Sequence, residues 1–280
     1  MIGNAKKLIG YESNLFTGSS VAAYVPATIV AAFKARVIAA GGSITATQES
    51  ACLTLVTNLV NNNLWSKMKI IYPMVGGTSN SCKINLVDAN YTATFSSGFT
   101  FTALGVTGSG VNSYMKANGF NPSVQLTSFN TCFSFYSRTN NTNTGSDLGC
   151  QLNPSTDRVA LGIYYAATTY ADLNNFTTGR IGQASTNTTG LYIITRESNV
   201  LMKMYRNAVQ FGSTNTTTMN TALPNAIYAV CALDFNDGIN WSSTTRQCAF
   251  AHVSTSLTSA EALTFYNNVQ TFQTTLSRNV

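Results

Sequence analysis

From Lys69 onward, apolar residues arrive in runs of strand length, each cut off by Gly, Asn, Ser or Thr. The run from Ser128 to Arg138 is the clearest, with Phe129, Thr131, Phe133 and Phe135 alternating against Asn130, Cys132, Ser134 and Tyr136. A period of two sends alternate side chains to opposite faces of a strand, and a helix cannot sort them that way. Comparable segments lie at Lys69 to Val75, Tyr91 to Phe95, Phe99 to Leu104 and Val159 to Ala166. Others follow at Leu191 to Arg196, Val200 to Tyr205, Ala208 to Phe211, Ile227 to Leu233 and Gln247 to Val253. About ten short strands with turn residues between them predict an antiparallel β-sandwich.

Helical patterning is confined to the two ends. Pro26 opens a stretch in which Ile29, Val30, Phe33 and Val37 share a face, stopped by Gly41-Gly42. Thr45-Ala46-Thr47-Gln48 has the form of a capping box, and Cys52, Leu53, Val56, Leu59 and Val60 recur at helical spacing until Asn61-Asn62-Asn63. The two helices form a hairpin whose apolar stripes need a partner surface, either the sandwich or another copy of the chain. A second capping box, Thr258-Ser259-Ala260-Glu261, precedes Ala262, Phe265, Tyr266, Val269, Phe272 and Leu276 on one helical face. The expected organisation is therefore an N-terminal arm (1–25), a helical hairpin (26–68), the sandwich (69–256) and a C-terminal helix packed on it (257–280).

Charge narrows the function classes. Only 9% of the 280 residues are charged, against roughly a quarter in an ordinary soluble domain, while Asn, Thr and Ser supply about a third. Such a surface is wetted by neutral hydrogen-bonding groups. The net charge of +6 comes from scattered residues such as Lys6-Lys7, Lys67, Lys69, Arg196, Lys203 and Arg206. No run of five bases exists to neutralise a phosphate backbone, so nucleic acid is not an expected partner. Val21 to Ala40 is apolar but carries Pro26, Lys34 and Arg36, which argues against a bilayer span. Lys6-Lys7 is not followed by the apolar stretch of a secretory signal. The six cysteines (Cys52, Cys82, Cys132, Cys150, Cys231, Cys248) lack any C-x-x-C spacing, and Cys132, Cys231 and Cys248 lie among apolar neighbours. They read as reduced core thiols rather than a disulfide framework. An exterior-style surface without an export signal suits assembly in a cytoplasm and release by lysis, as for a virion protein.

Two stretches carry a resemblance. Leu201-Met202-Lys203-Met204-Tyr205-Arg206-Asn207-Ala208-Val209-Gln210 resembles the strand–turn–strand of laminin-G-like, concanavalin A-like domains, with Ala208 where those domains usually have glycine. Cys248 to Val253, followed by Ser256 to Ala262 and Phe265-Tyr266, resembles the last strand and ending of the same superfamily. With Leu64 to Thr78 and Phe135 to Thr139, the closing run Asn267 to Arg278 is similar to uncharacterised phage and prophage structural proteins of tail or fibre type. The resemblance covers about 55–280. It implies a mainly β fold: a concanavalin A-like jelly-roll β-sandwich with an N-terminal helical hairpin and a C-terminal helix. It also implies a non-enzymatic virion protein (head fibre, capsid decoration or tail fibre subunit) that contacts other capsid or tail proteins. Such a protein is expected to form a trimer or dimer, anchored by its N-terminal arm or hairpin, and to meet host-surface carbohydrate. A free carbohydrate-binding lectin and a glycan hydrolase are the alternatives.

The chemistry-bearing residues are few. Glycosidases need paired carboxylates at set separations, and the glucanase pattern E-x-D-x-x-E is absent. All ten acids are isolated except Asp234 and Asp237, expected in a turn. Asp234, Asn236 and Asp237 offer hard oxygen ligands, which leaves open whether they hold calcium. His252, the single histidine, lies in a strand pattern on the face shared with Phe250 and Cys248, and reads as structural. No P-loop, dinucleotide fingerprint or H-E-x-x-H occurs. No residue is thus assigned a catalytic, cofactor-binding or metal-binding role. Tyr114, Tyr164-Tyr165, Tyr170 and Trp241 permit stacking on sugars.

Overall fold

The computed structural model describes residues 24–153, 155–235 and 241–280. The described residues contain five α-helices: α1 (Pro26–Ala39), α2 (Ala46–Asn61), α3 (Ser79–Cys82), α4 (Pro122–Gln125) and α5 (Ser259–Thr275). The strands are β1 (Met68–Tyr72), β2 (Ala93–Phe95), β3 (Thr100–Thr102), β4 (Gly105–Thr107), β5 (Met115–Ala117), β6 (Thr131–Ser137), β7 (Leu148–Gln151) and β8 (Asp157–Tyr165). They continue with β9 (Thr168–Ala184), β10 (Gly190–Ser198), β11 (Leu201–Arg206), β12 (Val209–Gln210), β13 (Ala229–Val230), β14 (Ala232–Asp234), β15 (Trp241–Ser243) and β16 (Cys248–Ser254).

Two eight-stranded sheets stack face to face, as the strand pattern predicts. The first runs β12-β11-β10-β6-β16-β4-β3, with β1 also paired to β16. The second runs β15-β14-β7-β13-β5-β2, and β7 also pairs β8, which pairs β9. Between them lies one core, built from inward residues such as Phe133, Phe135, Tyr192, Ile194, Val159, Leu161 and Leu173.

The alternation in β6 serves two cores, not a core and solvent. Phe133 and Phe135 point into the sandwich, whereas Cys132 and Tyr136 point outward into a second apolar layer with α1, α2 and α5. Leu191, Ile193 and Phe250 join that layer from the neighbouring strands, and Phe250 sits 6.2 Å from the Phe265 ring and 6.1 Å from the Phe272 ring. The partner surface for the hairpin is therefore the sandwich of the same chain. Both capping boxes form, Thr45 with Gln48 and Thr258 with Glu261. Between α1 and α2, Gly41 takes a positive φ of 77°, and a side chain on Gly42 would meet Ser81 Oγ at 2.5 Å.

Several local expectations are corrected. Ile227 to Leu233 is not one strand but β13 and β14, split at Cys231, whose φ is +62°. His252 does share the helix-side face with Phe250, but Cys248 does not. A β-bulge between Cys248 and Phe250 inserts Ala249 on the helix side and turns Cys248 into the sandwich core. Asp234 ends strand β14 and is buried, not in a turn. Asn236 and Asp237, the rest of that cluster, lie outside the described residues, as do residues 1–23 of the expected N-terminal arm.

All six cysteines are buried and unbonded to one another. Burial pushes the thiols of Cys52, Cys82 and Cys132 up to about 12, far from reactive thiolate chemistry. Arg278, in the closing run, is also fully buried. It donates to Gln273 Oε1 and to the carbonyls of Pro73, Met74 and Ala249, which ties the chain end beneath α5 to the strands. No described helix is long and apolar enough to cross a membrane.

Candidate functional site

With α1, α2 and α5 covering the first sheet, the outer face of the second sheet carries a concavity lined by polar and aromatic side chains. It sits over β7, β8, β9 and β14. The site owes its shape to β9. Seventeen residues laid straight would span about 56 Å, longer than a sandwich of this size. Instead β9 doubles back. Asn174 adopts φ +73°, and Asn175 Oδ1 accepts the amides of Thr177 and Thr178 at 2.7 and 3.2 Å. Gly179 then passes so close to the carbonyls of Leu173 and Asn175 that a Cβ there would lie 2.2 and 2.6 Å from them. The return pass runs beside the outgoing one: the Ser185 amide reaches the Ala167 carbonyl at 2.9 Å, and Gly182 backs onto the Tyr170 ring.

This fold-back places Arg180 against Asp172. Arg180 Nε donates to Asp172 Oδ1 at 2.7 Å and its Nη2 donates to Oδ2 at 2.9 Å. Arg158 of β8 brings its Nε to 3.3 Å from Asp172 Oδ2, at an angle unsuited to a hydrogen bond, and that Nε has no other partner. Asp172 is almost fully buried, and burial pushes its carboxyl upward while the two guanidiniums pull it down. Both its oxygens accept from Arg180 in the bidentate pattern of a guanidinium–carboxylate pair. Burial lowers the Arg158 guanidinium, whereas the hydrogen bonds to Asp172 raise that of Arg180.

Aromatic rings flank the charges. The Arg180 guanidinium lies 4.7 Å from the Tyr170 ring centre and 5.9 Å from that of Phe176, which Arg158 approaches at 5.8 Å. Tyr165 packs edge-on to Tyr170 with ring centres 6.3 Å apart, yet stays 59% exposed. The groove, about 410 Å³, is closed by Phe235, Leu233 and Ser146 and floored by Gly162, beside which nothing lies within 4 Å. That volume falls in the range of small-ligand sites.

Of the aromatics singled out in the sequence, the structure brings Tyr165 and Tyr170 together. Tyr114 and Tyr164 are not among the residues lining the groove, and the Trp241 side chain lies outside the described residues. Arg158, Asp172 and Arg180 were not evident in the sequence as a group. Their one signal is that three charges fall inside strands of a chain with few charges. Asp172 is the single carboxylate among the described residues that line the groove. Among the described residues, no three His, Cys, Asp or Glu side chains converge as metal ligands. The other buried charged pair, Asp147 and Arg246, is structural: Arg246 binds both carboxylate oxygens at 2.7 and 2.9 Å and caps the carbonyls of Asn143 and Gly145.

No family model matches the chain, and no curated protein matches it in sequence. Its likeness is to solved structures. The fold is shared; the sequence is not. Botulinum neurotoxin type C, whose cell entry is described as dependent on two ganglioside molecules, superposes at TM-score 0.51 with 10% identity, over 75% of this chain and 53% of the other. Domain 4 of an extracellular arabinanase from Geobacillus stearothermophilus, in complex with arabinotriose, gives 0.49 with 11% identity, over 71% and 98%. Trypanosoma rangeli sialidase in complex with sialic acid gives 0.49 with 10% identity, over 72% and 33%. The chain spans about half the length of the neurotoxin structure it matches. At such identities the likeness establishes the β-sandwich fold alone.

Proposed function

We propose that this protein is a non-enzymatic glycan-binding β-sandwich whose ligand lies in the groove of Tyr165, Tyr170, Arg158, Asp172 and Arg180. The observation that carries the reading is the exposed Tyr165 ring beside a fixed array of charged donors and acceptors. A sugar offers an apolar face for stacking and hydroxyls for hydrogen bonds, and the groove presents groups for both. Hydrolysis by the usual route needs a second carboxylate roughly 5 to 9.5 Å from the first. Asp172 is the one carboxylate among the described lining residues, and both its oxygens are engaged by Arg180. This supports binding without turnover.

Glycan-array binding followed by titration calorimetry tests the reading. Tyr165→Ala is expected to weaken binding about tenfold or more while leaving the melting temperature unchanged, since the ring is exposed. Gly162→Phe is expected to block the groove from its floor without touching either core. Glycan binding that survives both substitutions, or release of sugar from the ligand, refutes the proposal.

The setting we propose is a bacteriophage particle, with the chain as a head fibre, capsid decoration or tail fibre subunit that oligomerises and displays the groove to host-surface glycans. The weakly charged surface rich in Asn, Thr and Ser and the resemblance of the closing run to phage structural proteins support it. Co-purification with particles is the expected result; a stable monomer absent from particles refutes the virion role and leaves a free lectin.

A further inference from the structure

The charges in the groove do not balance. Arg180 commits its Nε and Nη2 to Asp172, so one carboxylate already has a full bidentate partner. Arg158 reaches the same carboxylate only through a misaligned Nε at 3.3 Å, buried without a hydrogen bond, while its side chain is just 20% exposed. Among the described lining residues, two guanidiniums and one carboxylate leave one positive charge uncompensated. A largely buried cation whose Nε has no aligned acceptor is costly, and the simplest group to relieve it is an anion entering from the open side. A carboxylate fits best, because the flat guanidinium fork matches its two oxygens and the rings of Tyr170 and Phe176 already hold both forks in place.

We infer that the groove selects an acidic saccharide, one bearing a carboxylate that Arg158 binds while the sugar ring stacks against Tyr165. The inference rests on the glycan-binding reading and adds the class of sugar. In this reading Asp172 serves to orient Arg180 and leaves Arg158 for the ligand.

The test uses the full chain and pairs of oligosaccharides that contain uronic or nonulosonic acid residues, each compared with its carboxyl-reduced alcohol. Calorimetry on the wild type is expected to show the acid form binding roughly ten- to a hundredfold tighter, as for a charge-assisted hydrogen bond. Raising salt should narrow the gap. Arg158→Gln is expected to abolish the preference while the neutral form binds as before, with Tyr165→Ala weakening both. Equal wild-type affinity for acid and alcohol, still sensitive to Tyr165→Ala, overturns acid selection and leaves glycan binding standing. Binding of neither form overturns both. The wild-type comparison needs no variant, so a folding defect in Arg158→Gln does not shield the inference.

Discussion

His252 offers an unusually clean test of the packing, because it is the sole histidine in the chain. Its ring is fully buried between β16 and α5, 4.2 Å from the Phe265 ring. Ser254 Oγ donates to the Thr255 carbonyl at 2.7 Å and so accepts from His252 Nε2 at 2.9 Å, while Ser134 Oγ meets Nδ1 at 2.6 Å. That network suits the neutral ring protonated on Nε2. Burial lowers the imidazole from its ordinary 6.5 to about 3. The unfolded chain therefore takes up a proton near pH 6.5 that the folded chain refuses until about pH 3. Stability is fully present above pH 6.5 and is lost as pH falls, by about 1.4 kcal/mol per unit once the unfolded histidine is protonated. Between pH 7 and pH 5 the loss is about 2 kcal/mol, a figure that hardly changes so long as the folded value stays below about 4. Most carboxylates have yet to titrate in that window, so the change belongs to one group. Urea denaturation at half-unit steps of pH measures it. His252→Gln, which keeps a polar side chain but cannot titrate, is expected to show a flat profile from pH 7 to pH 5. A wild-type loss under about 0.5 kcal/mol over that window, or the same slope in His252→Gln, refutes the buried neutral imidazole.

Two further substitutions probe other parts of the fold. Asp147→Asn leaves the fully buried Arg246 without its bidentate partner and is expected to cost about 3 to 5 kcal/mol in urea denaturation, with Arg246→Met in the same chain restoring part of the loss. The tight turn Asn207-Ala208 has φ values of +48° and +66°, so Ala208→Gly removes backbone strain of about 1 to 2 kcal/mol against an entropy cost of about half that. The net gain, up to about 1 kcal/mol, should raise the melting temperature by roughly 2 to 4 °C.

The helices were legible because they carry their own boundaries: Pro26, two capping boxes and glycine stops, each a local interaction. Longer strands were legible from β-branched and aromatic residues, and their register follows from which face each residue must bury. The short strands were not. β4, β5 and β7 exist because a neighbour supplies hydrogen bonds, and nothing within three or four residues announces that. Nor was β9, whose Thr, Asn and Asp residues show no alternation because several of its polar groups are buried and satisfied by side-chain hydrogen bonds: Asn174 Nδ2 donates to the carbonyls of Ser128 and Thr221, and Asp172 accepts from Arg180. Tyr165 and Tyr170 could be flagged as sugar-stacking residues from the sequence. Arg158, Asp172 and Arg180 could not be joined to them, since Arg158 meets Asp172 only once β8 and β9 pair, and Arg180 meets it only once β9 turns back at Asn175.

The three-layer arrangement also constrains where a ligand and a partner can sit. A sandwich with one face under helices has one broad sheet face left, and the groove occupies it. The described chain enters at Tyr24, packed edge-on against Trp65 in the helical layer with ring centres 6.4 Å apart. Sheets stack about 10 Å apart and a helix adds about 10 Å more, so the entry point and the groove are separated by roughly 20 Å on opposite sides. Under the proposed setting this separation has a consequence. Contacts made through the helical layer leave the groove unobstructed, and Ile38, Leu53 and Leu263, exposed on that layer, are available for them. A subunit held by its helical side presents Tyr165 and Arg158 outward, whereas one held by its second sheet would close its own site. Glycan binding and assembly can coexist in this fold only if assembly uses the helical side or the sheet edges.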